Sequence, residues 1–329
     1  MHSTETRLMV LTLALLALLA VAACVNREAP DKPRPNPQPP ISGLTGPGDY
    51  ERSLVVDGME RSFTLHVPTS YDGKRPMAVV LNFHGGGGNS KTQRHISRMD
   101  ATADREGFIV VYPQGTNEKS LIKNGYTWNA GTCCGWAQEH NIDDVRFTGL
   151  MLDRLEKEFV VDTKRIYATG ISNGALMCYR LACELADRIA AIAPIAGPMG
   201  MDRCRPSRPV SIMHFHGTDD KFAPYSGGVG DRSLPGQHFE SVQNTVDFWV
   251  RAQGLREEQN REFTPRATVR YQRFLSDKAE FVLVTLEGGG HTWPGGQFGF
   301  LGKRFLGEMN QEISASDSMW EFFKRHPLP

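Results

Sequence analysis

Neither sign of charge is in excess in this chain. Among its 329 residues, 37 lysines and arginines are balanced by 37 aspartates and glutamates, so the formal net charge at pH 7 is +0. A balanced chain has no long-range field that would gather nucleic acid or anionic lipid. Because no basic cluster interrupts this balance, we expect no nucleic-acid partner.

Patterns typical of metal and phosphate sites are also missing. The six cysteines form no C-x-x-C pair, and no Cys/His cluster has the spacing of a zinc site. The glycine run at 85–88 is not followed by the Lys-Ser/Thr pair that a phosphate-binding P-loop requires. We therefore expect no metal and no other cofactor.

The apolar run at the N terminus is too short to be an ordinary membrane-spanning helix. It covers residues 8–20, directly after the positive Arg7, and it ends in the small residues that precede Cys24. This order is typical of an export signal, and small residues before a cysteine resemble a bacterial lipobox. We expect residues 1–23 to be removed and Cys24 to carry the lipid. Ordinary secretory cleavage at the same place is the alternative.

Residues 24–48 are rich in proline and poor in apolar side chains. Such a segment forms a stiff, extended spacer of roughly 3 Å per residue. With a lipidated Cys24, it would hold residues 49–329 away from a membrane surface. We therefore expect an exported protein that is anchored to a bacterial membrane in the cell envelope, or released from it to the extracellular space.

Residues 49–329 predict one α/β domain. The segment 50–67 resembles a hairpin around Asp57-Gly58, a dipeptide suited to a type I′ turn. Short apolar runs then alternate with segments of helical period, which indicates a mostly parallel central sheet with helices on both faces. The predicted buried strands are 77–83, 108–112, 165–169, 189–195, 210–215 and 279–286, and the predicted helices include 145–159, 239–253 and 316–325.

Ser172 is the candidate nucleophile. It is the serine of a G-x-S-x-G segment, 170–174, that follows a predicted strand and precedes a helix. This is the context of a nucleophile elbow, a sharp turn that needs small residues on either side of the serine. A glycine-rich strand–helix turn with an incidental serine is the alternative.

A serine hydroxyl needs a base, and the base needs an orienting acid. After the strand 210–215 comes an H-G-T-D-D segment, and after the last predicted strand comes His291 on a glycine loop. Ser, Asp and His then follow in the chain order of α/β hydrolases. His291 is the candidate base. Asp220 is the candidate acid, and Asp219 is the alternative.

The glycines after the strand 77–83 complete the site. Backbone N–H groups of such a loop can approach a developing oxyanion, because no Cβ is in the way. In this fold one donor comes from that loop and one from the residue after the nucleophile. We expect these donors to be Gly86 and Asn173, with His84 as a structural hydrogen-bonding residue.

These pieces resemble the family of secreted polyhydroxybutyrate depolymerases and feruloyl or acetylxylan esterases, which has the α/β-hydrolase fold. The resemblance implies that Ser172 is the nucleophile, Asp220 the acid and His291 the base. The matching segments are FHGGGGN (83–89), TWNAGTCCGWA (127–137), DDVRF (143–147), GISNGALM (170–177), RLACELADRIAAIAPIAG (180–197), HGTDDKFAPYSGG (216–228) and GGGHTWPGG (288–296).

The resemblance also implies two structural disulfides, drawn from Cys133, Cys134, Cys183 and Cys204. We expect no bond between the adjacent Cys133 and Cys134, because a vicinal ring strains the peptide between them. Cys178 departs from the family pattern and is expected to be a buried free thiol.

The predicted function is hydrolysis of carboxylic esters, either hydroxyalkanoate oligomers or acyl esters of plant polysaccharide. Tyr225 and Trp293 lie beside the triad in the sequence, and we expect them to wall the acyl or alcohol pocket, with simple packing as the alternative. Two other functions remain open: a peptidase of the same fold, and a surface lipoprotein that keeps the fold with little or no turnover.

The lipobox hypothesis predicts that Cys24→Ser abolishes partitioning of the protein into membranes and into a detergent phase. The acyl chains attach at that sulfur, and the spacer separates it from the catalytic domain, so the purified variant should remain active. Cys178→Ser is the matched control and should leave partitioning unchanged. Membrane association that persists in Cys24→Ser would overturn the hypothesis.

Overall fold

A twisted eleven-stranded sheet organises the protein, for which a computed structural model describes residues 45–329 apart from 118–124, 202, 234–236, 260–261 and 299. Cys24 and residues 1–44 lie outside the described residues. Within the described part, no helix is both long enough and apolar enough to cross a membrane. The strands are β1 (Gly48–Val56), β2 (Met59–Val67), β3 (Met77–Phe83), β4 (Phe108–Pro113), β5 (Val161–Ile171), β6 (Ala191–Ile195), β7 (Ser211–Gly217), β8 (Arg256–Glu257), β9 (Glu262–Phe263), β10 (Val269–Leu275) and β11 (Glu280–Leu286).

The central strands of the sheet are parallel. The order is β1-β2-β4-β3-β5-β6-β7-β11-β10-β8, and β9 pairs with β10. Strands β4, β3, β5, β6, β7 and β11 pair in parallel, while β1, β2, β8, β9 and β10 add antiparallel pairs at the two edges. The carboxyl ends of the parallel strands therefore lie along one edge of the sheet, where ligands bind in folds of this kind.

Helices cover both faces of the sheet and give it two separate cores. In β3, Val79 and Leu81 pack with one cluster and Ala78 and Val80 with the other, as alternating side chains must. The helices are α1 (Ser90–Ser97), α2 (Met99–Glu106), α3 (Gly135–Glu139), α4 (Asp144–Glu158), α5 (Asn173–Glu184), α6 (Val242–Gln253), α7 (Phe300–Leu306) and α8 (Ala315–Phe323). Helices α4, α5 and α6 contribute to the first cluster, and α2 and α8 to the second.

Local signals explain where several elements begin and end. Asp57 and Gly58 both have positive φ, 50° and 81°, so the first hairpin turns as its sequence predicts. The side chain of Asp143 accepts from the backbone N–H of Arg146 and caps α4. Helix α6 is capped by Ser241 in the same way.

The fold confirms the predicted α/β-hydrolase class, but β10, α1 and α2 were not predicted. Only Val269 and Phe274 of strand β10 are buried, and the strand carries two arginines, so it has no continuous apolar run. It forms because it pairs along its whole length with the buried β11. Helices α1 and α2 are short, eight residues each, and have little periodic apolar pattern.

The disulfide pairing differs from the expected scheme. Cys183 and Cys204 are bonded to each other, with their Cα atoms 5.1 Å apart, and Cys178 is a buried free thiol, as expected. The expectation that Cys133 and Cys134 bond to Cys183 and Cys204 is wrong, because those two are bonded to each other and the sulfurs of Cys133 and Cys134 lie against one another.

Cys133 does not pair with Cys183 because it lies beside the first residue of α5. Its sulfur lies 3.8 Å from the side-chain nitrogen of Asn173, the first residue of that helix. Cys183 follows Asn173 by about 10 residues on the same helix, which is roughly 15 Å at 1.5 Å per residue. A disulfide needs Cα atoms within about 7 Å of each other, so Cys133 cannot reach Cys183.

The bond between Cys183 and Cys204 should stabilise the domain by constraining the unfolded chain. Its sequence separation is 21, and a closed loop of this length contributes about 3 kcal/mol in the chain-entropy description. We expect that much loss in the free energy of unfolding, measured in urea, when both cysteines are replaced by alanine.

Cys178→Ala is the control, because it removes a buried cysteine without breaking a bond. The loss in the double variant should largely disappear when wild type and variant are compared in dithiothreitol, whereas Cys178→Ala should respond to the reductant as wild type does. Equal stability of wild type and double variant under oxidising conditions would contradict a structural role for this bond.

Candidate active site

Ser172 stands in the turn between β5 and α5, with a backbone conformation that is rare for a residue with a side chain. Its φ is 57° and its ψ is −123°. Such strain persists only where the surrounding structure enforces it. The Ser172 N–H donates to the Ile195 carbonyl, and the Ser172 carbonyl accepts from Ala175 and Leu176. The turn is therefore fixed from both sides and projects the serine from the end of the strand.

Glycines are required on both sides of this serine. A Cβ on Gly170 would lie 2.7 Å from the Phe83 carbonyl oxygen, and a Cβ on Gly174 would collide with the same oxygen. Because β3 lies directly beside β5, only glycine leaves room for the turn. This packing explains the G-x-S-x-G pattern in physical terms.

The predicted oxyanion donors lie together beside Ser172. A Cβ on Gly85 would be 3.3 Å from the Ser172 Cβ, and one on Gly86 would be 3.6 Å from the Asn173 Cβ. Within the described part of the chain, the N–H groups of Gly86 and Asn173 have no hydrogen-bond partner. For Asn173 this follows from its place as the first residue of α5. Two free N–H groups next to a projecting serine can receive an oxyanion.

Asp220 and His291 are joined by a direct hydrogen bond. The His291 Nδ1 lies 2.7 Å from the Asp220 Oδ2, and both residues are buried. They follow β7 and β11, which are neighbours in the sheet, so their loops start side by side. The adjacent Asp219 is exposed. The structure thus places Asp220, and not Asp219, on the histidine.

Hydrogen bonds hold the Asp220 carboxylate in place and keep it charged. Its Oδ1 accepts from the backbone N–H groups of Phe222 and Ala223, at 2.8 and 2.9 Å. Burial by itself would raise the pKa of Asp220, but the electrostatic attraction of the neighbouring His291 and its hydrogen bond outweigh this effect, and the pKa lies below its ordinary value. An ionised carboxylate in this position fixes the His291 tautomer with its proton on Nδ1.

Among the described residues, no hydrogen bond joins the Ser172 hydroxyl to the His291 ring. Catalytic hydrogen bonds often tighten only when the substrate binds, so the absence of this bond does not exclude the pair. The structure therefore brings together Asp220 with His291 and Ser172 with the oxyanion donors, on the same edge of the sheet.

A loop that the sequence did not assign to the site braces the nucleophile turn. The side chain of Asn173 accepts from the Trp128 N–H and donates to the Trp128 carbonyl, at 2.7 and 3.0 Å. The loop is held in turn by Asp144, which accepts from the Asn129 N–H at 2.8 Å and pairs with the buried Arg61 at 2.6 Å. The motifs TWNAGTCCGWA and DDVRF were visible in the sequence, but their role depends on these contacts.

His84 has the structural role expected of it. Its Nε2 accepts from the Gly115 N–H at 3.0 Å, so its Nδ1 carries the proton and donates to the Gly85 carbonyl at 2.8 Å. Burial lowers the pKa of His84 to about 4. A neutral histidine whose nitrogens are both engaged cannot act as a base, but it shapes the oxyanion loop.

The two predicted pocket residues, Tyr225 and Trp293, lie in different surroundings. Tyr225 is half-buried and lines a cavity of about 300 Å3 together with Asp220, so its pocket role stays a prediction. Trp293 is fully buried and donates from its indole nitrogen to the Ser316 hydroxyl. It packs in the second core and has no exposed surface to offer a substrate, so the pocket prediction for Trp293 is wrong.

Two aromatic side chains that were not predicted from the sequence, Phe222 and Phe305, lie on the His291 side of the site. The ring of Phe222 stacks on the imidazole with centroids 4.9 Å apart, and Phe305 meets Phe222 edge-on at 5.2 Å. Phe305 is 57% exposed and its ring also contacts the guanidinium of Arg232. Phe222 follows Asp220 by two positions in the sequence, and this closeness could have indicated its place beside the site. Phe305 could not be found without the fold.

The fold and these loops define an α/β hydrolase. Two solved structures share the fold: an acetyl xylan esterase from Aspergillus awamori, with a TM-score of 0.56 over 84% of this chain and 99% of that one, and an S-formylglutathione hydrolase from Agrobacterium tumefaciens, with a TM-score of 0.52 over 85% and 96%. Each is 14% identical to this chain.

The chain belongs to the Esterase PHB depolymerase family, whose model matches residues 61–256. It is 30% identical to the putative esterase NocK of Nocardia uniformis subsp. tsuyamanensis, over 94% of this chain and 96% of that protein. It is 28% identical to feruloyl esterase B of Piromyces equi, over 82% of this chain and 46% of that protein. The protein is a carboxylic ester hydrolase.

The Asp220–His291 contact predicts unequal effects of two neighbouring substitutions. Asp220→Asn should lower kcat by about 10⁴, the loss known for the same change in another serine hydrolase, because an amide cannot hold the tautomer with the proton on Nδ1. Asp219→Asn, at an exposed position, should leave kcat nearly unchanged. Steady-state hydrolysis of a p-nitrophenyl ester measures both, and the reverse ranking would assign the acid to Asp219.

Proposed function

We propose that this protein hydrolyses esters by two-step acyl transfer through Ser172, His291 and Asp220. The observation that carries the proposal is the 2.7 Å contact between His291 and the buried Asp220, on the same edge of the sheet as the strained serine turn. An oriented histidine and a projecting serine are the parts that acyl transfer requires.

Each residue has one task in this mechanism. His291 takes the proton from Ser172, whose oxygen attacks the ester carbonyl, while the Asp220 carboxylate stabilises the imidazolium that forms. The free N–H groups of Gly86 and Asn173 receive the oxyanion of the tetrahedral intermediate. His291 then protonates the leaving alcohol, and a water molecule activated by the same base hydrolyses the acyl-enzyme.

We propose acyl esters of plant polysaccharide as the substrate class, with hydroxyalkanoate oligomers as the second candidate. The names of the relatives point to feruloyl and acetylxylan esters. The exposed ring of Phe305 and the ring of Phe222 beside His291 suit a substrate with an aromatic or apolar group. With a lipid on Cys24, the enzyme would act at the cell envelope.

Covalent labelling tests the nucleophile. A fluorophosphonate probe should label the native protein, and Ser172→Ala should abolish both labelling and turnover of a p-nitrophenyl ester. Because triad members act as a unit, the loss in kcat approaches about 10⁶ in a comparable triad enzyme. Ser226→Ala, in a loop at the same edge of the sheet, is the control and should keep both labelling and turnover. Labelling that survives in folded Ser172→Ala would falsify the assignment, whereas a native protein that is neither labelled nor active would favour a scaffold without turnover.

The same preparation then assigns the acyl group. Methyl ferulate, acetylated xylan and hydroxybutyrate oligomers are compared by kcat/KM, with a short peptide amide as the control for peptidase activity. We expect the highest value for methyl ferulate and none for the amide. Highest turnover of hydroxybutyrate oligomers would move the assignment to the second candidate.

A further inference from the structure

Behind Asp220 lies a chain of three buried polar side chains that the mechanism does not use. The Tyr179 hydroxyl lies 2.8 Å from the His214 Nδ1, and the His214 Nε2 lies 3.1 Å from the His216 Nδ1. The chain ends at the His216 Nε2, which lies 2.8 Å from the Ala223 carbonyl oxygen. Tyr179, His214 and His216 are each fully buried.

The last acceptor fixes the direction of every hydrogen bond in this chain. A carbonyl oxygen can only accept, so the His216 Nε2 must carry a proton. Burial lowers the pKa of His216 and, further still, that of His214, so both rings are neutral and each has one proton. The His216 Nδ1 must then accept from the His214 Nε2–H, and the His214 Nδ1 must accept from the Tyr179 hydroxyl.

This chain of hydrogen bonds ends beside the Asp220 Oδ2, the oxygen that orients His291. The His216 Nε2 is 3.5 Å from the Asp220 Oδ2, the same atom that accepts the hydrogen bond from the His291 Nδ1–H. The hydrogen bond from His216 to the Ala223 carbonyl also holds the turn whose Ala223 N–H donates to the Asp220 Oδ1. His216 thus acts on both oxygens of Asp220, on one through its N–H dipole and on the other through the turn.

A charged His216 would reverse the chain. Its Nδ1 would become a donor, so the His214 Nε2 would accept and the His214 Nδ1 would donate to the Tyr179 oxygen. The Tyr179 hydroxyl proton would then have no acceptor, because the described residues offer this hydroxyl no hydrogen bond other than the one to His214. An unpaired buried hydroxyl costs free energy. The geometry therefore favours the neutral arrangement even though the Asp220 carboxylate lies nearby.

We propose that His216, aligned by His214 and Tyr179, is a positioning residue that holds Asp220 in the orientation in which its Oδ2 accepts from His291. The proposal rests on the function proposed above for Asp220 and His291. It assigns no chemistry to His216, which does not touch the substrate.

The tautomers can be observed without any activity measurement. In the full chain labelled with 15N at histidine, two-dimensional NMR should show His214 and His216 as neutral rings with the proton on Nε2. The groups that face these rings are Tyr179, Tyr225, Asp220 and His291, and both rings should keep this neutral pattern from about pH 7 upwards. Assignment uses His214→Gln and His216→Gln. A proton on the Nδ1 of either ring, or a titration in this range, would overturn the inference.

Kinetics separate positioning from simple packing. His216→Phe keeps a buried ring but has no N–H, so we expect kcat to fall about 10²-fold, the scale of a misplaced catalytic group, with KM unchanged. His216→Gln can place an amide N–H near the Nε2 position and should recover most of kcat. Equal kcat in the two folded variants would mean that the ring only fills space.

The tyrosine at the start of the chain has a matched control. Tyr179→Phe should lower kcat by less than His216→Phe does, because it removes only the first donor. Tyr167→Phe removes another buried hydroxyl, one that has no hydrogen-bond partner among the described residues, and should leave kcat unchanged. Equal effects of Tyr179→Phe and Tyr167→Phe on kcat would contradict a role for the hydrogen-bonded chain. Activity that survives Ser172→Ala would instead refute the proposed function and leave the NMR result standing.

Discussion

The buried carboxylate of Asp220 constrains the whole catalytic edge. A charge out of contact with water must be matched by donors, and here they are the ring of His291 and two backbone N–H groups of the turn that follows. These donors come from two separate loops. Adjacent strands β7 and β11 make this possible, because they deliver the loops to the same place. The position of His291 is thus a consequence of strand order and of charge burial together.

The Ser172 side of the candidate site depends on close backbone packing. The serine turn exists because β3 and β5 are neighbours, and a Cβ on either flanking glycine would meet the Phe83 carbonyl. The same closeness brings the glycine loop after β3 against Ser172 and Asn173. The Trp128 loop then clamps the Asn173 side chain, supported by the buried pair of Arg61 and Asp144. Burial raises the pKa of Asp144, although Arg61 and the Asn129 N–H favour its charged form.

Scaffold and specificity belong to different parts of the molecule. The fold is shared with hydrolases that are 14% identical to this chain, and this likeness reports the fold alone. The residues proposed to distinguish substrates lie beyond the ends of the strands, on loops and on α7. Phe222 and Phe305 form an aromatic edge on His291, and Tyr225 faces the cavity beside Asp220. A second cavity, of about 610 Å3, lies at the opposite edge near Glu280 and is too far from the serine loop to take part.

The sequence alone determined the fold class, the first hairpin and the order of Ser172, Asp220 and His291, because turn chemistry and apolar runs are local signals. It also singled out the odd cysteine, Cys178. It did not show that Trp293 is buried against Ser316, nor that β10 pairs with β11. The histidine chain behind Asp220 was equally hidden, since Tyr179 and His214 are 35 residues apart. Burial, strand pairing and hydrogen-bond direction depend on contacts between distant residues, and only the tertiary structure decides them.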